Sequence, residues 1–156
     1  MITLGNKIPE ITLVDTDLNR ISLKNEVKGP TLLAFFPGAF TGVCTKELCT
    51  FRDNISKFNS INAKVISISV DGPFSNKAFK EKNNLTFQVL SDYNREAVRL
   101  FGVELNNFAG LNGYTAAKRS VFLINKDGVV SYAWISDDPT VEPDYNVIMS
   151  EIQKLK

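Results

Sequence analysis

The sequence contains no histidine, only two cysteines, Cys44 and Cys49, and a single tryptophan. Without an imidazole there can be no Ser-His-Asp triad, no Cys-His pair, no HExxH zinc helix and no histidine proton shuttle. Two cysteines cannot supply the four Cys or His ligands of a structural zinc site, and no acidic spacing completes one, so neither a metal nor another cofactor is expected. The stretch Cys44-Thr45-Lys46-Glu47-Leu48-Cys49 is not CxxC, which removes the thioredoxin dithiol motif. An excess of one charge is also missing. The 18 Lys plus Arg against 17 Asp plus Glu leave +1, too little to draw nucleic acid or anionic lipid as partners. No stretch approaches the 18 apolar residues of a membrane span, and Met1 to Lys7 lacks a charged head followed by an apolar run. A cytosolic protein is therefore expected, and in a reducing compartment a cysteine pair more often serves catalysis or metal binding than architecture.

What is present is ordinary for a globular chain: 156 residues, 44% hydrophobic and 22% charged, with no repeat or low-complexity linker. That length buries roughly 68–70% of the unfolded surface without staples, and residues 1–156 read as one domain. Ile11 to Val14 and Arg20 to Leu23 form a leading strand pair around the turn Asp15 to Asn19. Thr31 to Phe36 is a continuous apolar run suited to a strand buried on both faces. From Cys44 to about Asn59, Leu48, Phe51, Ile55 and Phe58 recur at helical spacing. Lys64 to Val70 reads as a strand, Pro73 to Asn83 as a helix, Phe87 to Leu90 as a strand, and Asn94 to Phe101 as a helix turning Ala97, Val98 and Phe101 inward. Residues 103–118 lack periodicity and are read as a functional loop or a hidden short helix. Ser120 to Asn125 and Val129 to Ile135 flank the turn Lys126-Asp127-Gly128, and a last helix carries Val147, Ile148, Ile152 and Leu155. This order predicts an α/β, thioredoxin-like fold: a central mixed sheet flanked by helices, with an N-terminal strand pair and an insertion.

The strand Thr31 to Phe36 runs through Pro37-Gly38-Ala39-Phe40-Thr41-Gly42-Val43 into Cys44, at the strand-to-helix edge where α/β sheets bind ligands. With Thr41 as N-cap, Cys44 falls in the first helical turn, where free N–H groups and the positive helix end favour an anion, here a thiolate. Taken singly each residue has a plainer explanation: Cys44 as a small core hydrophobe, Thr41 as a cap, Pro37 as a turn residue, Cys49 as filler. Five residues along an intact helix give about 7.5 Å of rise and about 140° of rotation, which places the two α-carbons roughly 8–9 Å apart. A disulfide needs less than about 7 Å, so pairing Cys44 with Cys49 requires the first turns to unwind.

The segment Pro37-Gly38-Ala39-Phe40-Thr41-Gly42-Val43-Cys44 resembles the Pro-x-x-x-Thr-x-x-Cys motif of peroxiredoxins. Ser67 to Ser75, Leu90-Ser91-Asp92 and Arg119 to Ile124 resemble further segments of that family. The placement of Cys49 is similar to the resolving cysteine of the bacterioferritin comigratory protein or peroxiredoxin Q group. The resemblance implies a peroxidatic Cys44 attacking a hydroperoxide to give a sulfenic acid, with Cys49 resolving it and a thioredoxin-like dithiol recycling the pair. It further implies that Arg119 supplies positive charge, Thr41 hydrogen-bonds the peroxide, Pro37 shields the site from water and Glu47 orients Arg119. The implied partners are a hydroperoxide and that dithiol, in a monomer or homodimer. Two other readings stay open: a one-cysteine peroxiredoxin resolved by an external thiol, and a noncatalytic redox-sensing module.

Overall fold

The computed structural model describes residues 1–155. The chain begins with an antiparallel hairpin, β1 (Thr12–Val14) and β2 (Arg20–Ser22). Asp15 closes its turn, its carboxylate accepting the N–H groups of Asp17 and Asn19 at 2.9 Å each. A four-residue helix follows that composition did not announce, α1 (Leu23–Glu26), started by the Ser22 hydroxyl accepting the Asn25 N–H.

The expected alternation then appears: β3 (Thr31–Phe35), α2 (Gly42–Asp53), α3 (Ile55–Ser60), β4 (Lys64–Ser69), α4 (Pro73–Lys82), β5 (Gln88–Ser91) and α5 (Glu96–Leu100). The one long helix anticipated from Cys44 to Asn59 is instead two, broken at Asn54. The Asn54 side-chain amide donates to the Thr50 carbonyl at 2.8 Å, and the backbone there has left helical values, with φ −105° and ψ 11°. An asparagine that bonds its own turn competes with the helix ladder. The apolar spacing could not report the break, because Ile55 and Phe58 continue the face on its far side.

Residues 103–118 do hide a short helix, a single 3₁₀ turn, but within strands the sequence did not show. They form a small ribbon, β6 (Glu104–Leu105) with β7 (Ala116–Ala117), enclosing a 3₁₀ turn at Phe108–Gly110. Asn107 and Ala109 sit there at positive φ, and the Phe108 ring meets Tyr114 edge-on at 5.6 Å. The chain closes with β8 (Ser120–Ile124), β9 (Val130–Ile135) and α6 (Tyr145–Gln153). Ile148 and Ile152 of α6 are buried as anticipated, whereas Val147 faces outward at 40% exposure.

Seven strands lie in the spatial order β2-β1-β5-β4-β3-β8-β9. β3, β4 and β5 are parallel, β8 and β9 antiparallel to their neighbours, and β1 joins the edge through Val14 opposite Ser91. This mixed sheet with helices on both faces is the thioredoxin-like arrangement. All five residues of β3 are buried, and they alternate between two apolar layers. Leu33 and Phe35 point into one layer with α1 and α5, where Ala97, Val98 and Phe101 are fully enclosed. Leu32 and Ala34 point into the other with α2, α3, α4 and α6. Leu48 and Phe51 anchor α2 in that second layer, and truncating either to alanine costs about 2–5 kcal/mol.

Candidate active site

Strand register assembles the site. Phe35 at the end of β3 lies opposite Ser120 at the start of β8, so Arg119, the residue before Ser120, projects where the chain leaves β3 for α2. Pro37, buried, turns the chain out of the sheet. Asp71, following β4, fixes the next part of the loop by accepting the Ala39 N–H at 2.8 Å. Phe40 adopts φ 65°, uncommon for an aromatic residue, and its half-exposed ring stacks edge-on against Phe79 of α4 at 5.4 Å.

Thr41 occupies the N-cap position with extended backbone (φ −88°, ψ 150°), and its carbonyl accepts the Thr45 N–H at 3.0 Å. Its hydroxyl does not cap, which corrects the expectation from sequence: it donates to the Gly38 carbonyl at 2.7 Å. The N–H groups of Gly42, Val43 and Cys44 have no acceptor within the helix and receive none from this side chain. The Thr41 oxygen keeps its lone pairs free to accept.

Cys44 is fully buried, and Nη2 of Arg119 lies 3.0 Å from its sulfur. Arg119 is the largest fully enclosed side chain among the described residues, and each of its nitrogens is engaged. Nη1 donates to Glu47 Oε1 at 2.9 Å, while Nε and Nη2 donate to the Pro139 carbonyl at 3.2 and 2.7 Å. A planar guanidinium can hold sulfur, carboxylate and carbonyl at once where an ammonium, donating from one point, cannot. Glu47 is wholly buried and its Oε2 finds no partner among the described residues. Burial pushes its carboxyl up to about 7, against the pull of Arg119, and the nearby charge of Glu142 adds to the rise. Arg119 itself is held above its ordinary value: burial opposes its charge, but Glu47 and Cys44 outweigh that.

Cys49 stands apart from this group. It is half-buried and lies outside the apolar core, and its thiol contacts Asn83 Oδ1 at 3.7 Å. Both cysteines are free thiols on an unbroken stretch of α2. Of the six residues singled out from sequence, Arg119 is in direct contact with both Cys44 and Glu47, Pro37 and Thr41 lie on the loop that leads into Cys44, and Cys49 is separate. The Pro139 carbonyl and Asp71 were not anticipated. A main-chain carbonyl carries no signal in residue type, and Asp71 had the look of an ordinary turn aspartate before Gly72 and Pro73. Phe108 of the insertion also reaches the site rim, its Cε2 3.8 Å from where a Cβ on Gly38 would stand.

The family model described as AhpC/TSA matches residues 4–133. The chain belongs to the AhpC/TSA family. Among its curated relatives, the chloroplastic peroxiredoxin Q of Oryza sativa subsp. japonica is 36% identical over 133 residues, covering 85% of this chain. The chain spans only 59% of the length of that plant relative. A Mycobacterium tuberculosis protein named as a peroxiredoxin is 34% identical over 132 residues, 85% of this chain and 84% of that one. Solved structures agree. Peroxidoxin BcpB from Mycobacterium tuberculosis superposes with a TM-score of 0.86 at 26% identity, covering 100% of this chain and 99% of that one. A peroxiredoxin-like protein from Aquifex aeolicus gives 0.85 at 27% identity, over 99% and 88%. The AhpC/TSA relatives thus include proteins of the peroxiredoxin Q and bacterioferritin comigratory protein types. Among the described residues no helix is long and apolar enough to cross a membrane.

Proposed function

We propose that the chain is a thiol-dependent peroxidase acting as one thioredoxin-like unit, with Cys44 as the attacking thiolate. The observation that carries this reading is the 3.0 Å contact between the buried Cys44 sulfur and Arg119, whose guanidinium is fixed by Glu47 and Pro139. The thiolate attacks one oxygen of a hydroperoxide; the O–O bond breaks, the leaving oxygen takes a proton, and Cys44 becomes a sulfenic acid with release of water or an alcohol. The Cys49 thiol then attacks the oxidised sulfur, forming an intramolecular disulfide and water, and a thioredoxin-like dithiol reduces that disulfide by exchange.

Ionisation alone does not account for such chemistry. An ordinary thiol is already a few per cent thiolate at pH 7, so complete ionisation gains only about 30-fold. The larger part comes from donors aimed at the polarising peroxide: Arg119 and the free N–H groups at the start of α2. With its own O–H committed to Gly38, Thr41 accepts a hydrogen bond from the peroxide O–H and orients the attacked oxygen. Pro37 closes the pocket against water. Cys44→Ser should abolish peroxide consumption in the presence of a dithiol reductant; near-wild-type turnover would refute the assignment. Cys49→Ser should leave the first oxidation within about twofold while the sulfenic acid accumulates. The unbroken helix between the two cysteines favours one second reading, in which an external thiol resolves Cys44. Under that reading one equivalent of peroxide yields no intramolecular disulfide.

A further inference from the structure

For Cys44 and Cys49 to pair, residues 45–48 must leave their helical positions, and each of them is tied down. Thr45 donates its hydroxyl to the Thr41 carbonyl at 2.8 Å, Glu47 holds Arg119, and Leu48 is packed in the core. Lys46, largely exposed, reaches away from α2 to Glu142 Oε2 at 3.1 Å. The other oxygen of Glu142 accepts the Tyr145 hydroxyl at 2.6 Å, and the Tyr145 ring meets Phe51 edge-on at 5.6 Å. The same segment supplies the Pro139 carbonyl to Arg119. Residues 139–145 therefore form a strap touching the site three times: at the guanidinium, at α2 between the cysteines, and at the α2 core face. Lys46–Glu142 is the tie that lies outside the core and outside the reacting group.

We propose that Glu142 is a positioning residue for the peroxidase cycle: through Lys46 it holds the first turns of α2 folded, favouring oxidation of Cys44 and restraining its pairing with Cys49. This rests on the reading that the two cysteines form an intramolecular disulfide. A partly exposed ion pair is a modest restraint, so its loss accelerates unwinding a few-fold and does not release the helix outright. Neutralising the tie speeds the second step and leaves the first unchanged or slower, a division that general loosening of the fold does not produce.

The test uses the intact protein, reduced, mixed with one equivalent of hydrogen peroxide and acid-quenched over time. Mass analysis without reductant resolves Cys44 sulfenic acid from disulfide, giving both rates. Glu142→Gln keeps an acceptor for Tyr145 and removes the charge; Lys46→Met removes the same pair from the other side. Each should raise the pairing rate about 2–5-fold. The double variant should match Glu142→Gln alone, because once that charge is gone Lys46→Met has no tie left to remove. Lys64→Ala, which breaks a comparably exposed pair with Glu26 far from the site, should leave both rates alone. Unchanged pairing in the single variants, or a double variant showing the product of the two effects, overturns the role of Glu142. If wild-type protein forms no disulfide, the two-cysteine reading fails first, and the proposal goes with it; a wild type that pairs while Glu142→Gln pairs no faster sinks the proposal alone.

Discussion

Arg119 Nη2 lies 3.0 Å from the sulfur of Cys44, although the two residues are 75 positions apart in the chain. The contact depends on a guanidinium held from three directions, so its geometry matters as much as its charge. Arg119→Lys keeps the charge but cannot span Cys44, Glu47 and Pro139 together. The rate of Cys44 oxidation by hydrogen peroxide, followed by rapid quench, should fall about 10²–10³-fold, the scale for losing one aimed donor. Arg119→Met should also lower stability by about 3–5 kcal/mol, since it leaves Glu47 buried without its partner.

Glu47 makes a pH signature. Its folded carboxyl is raised to about 7 from an ordinary 4.5, so between those values the folded protein binds more protons than the unfolded chain. Its contribution to stability is therefore complete below about pH 4.5 and is lost as pH rises through about 7. Glu47→Gln removes that dependence. The melting temperature of wild type minus that of Glu47→Gln should be larger at pH 5 than at pH 8, and a difference that grows with pH would reverse the sign argued here.

Thr41 offers a test of hydrogen-bond direction. Thr41→Val is nearly isosteric and leaves Gly38 without its donor and the peroxide without an acceptor, so oxidation of Cys44 should slow about 100-fold. Thr41→Ser retains both bonds and should remain within about tenfold of wild type. Equal losses in the two variants would show that the methyl group, not the oxygen, is what counts.

Asp71, just past the end of β4, holds the loop that leads into α2. Asp71→Ala frees the Ala39 N–H and removes about 1 kcal/mol of loop order, which should slow oxidation about 3–10-fold with little change in melting temperature. A melting temperature lowered by several degrees, with the oxidation rate intact, would make this a stability contact only.

Much of the fold can be read from the sequence because its central strands are buried on both faces. Thr31 to Phe36 advertises itself as a continuous apolar run and Lys64 to Val70 as a stretch rich in β-branched residues, and Ala97, Val98 and Phe101 mark α5 by spacing alone. The break at Asn54 is hidden because it depends on one side-chain amide choosing its own turn over solvent. The ribbon between Glu104 and Ala117 is hidden for another reason: two-residue strands are too short to show a period, and Asn107 and Ala109 occupy left-handed backbone that residue type scarcely signals. At the site, Cys44 and Thr41 stand out through local spacing, whereas the placement of Arg119 beside them follows from strand order. The Pro139 carbonyl leaves no trace in sequence at all, and neither does the ion pair of Lys46 with Glu142.

The pairing of Phe35 with Ser120 has a consequence for the newborn chain. Everything up to α5 can be made and collapsed while Cys44 still lacks its cation, because Arg119 arrives with β8 and Pro139 later still. Antiparallel pairing across that sequence distance is among the slower events of folding. An unfinished chain thus carries a Cys44 thiol without its cation, and under the proposed peroxidase reading its reactivity toward peroxide should rise only once β8 has joined. Under that reading, reactivity at Cys44 would certify finished folding, issued by the last strands to join.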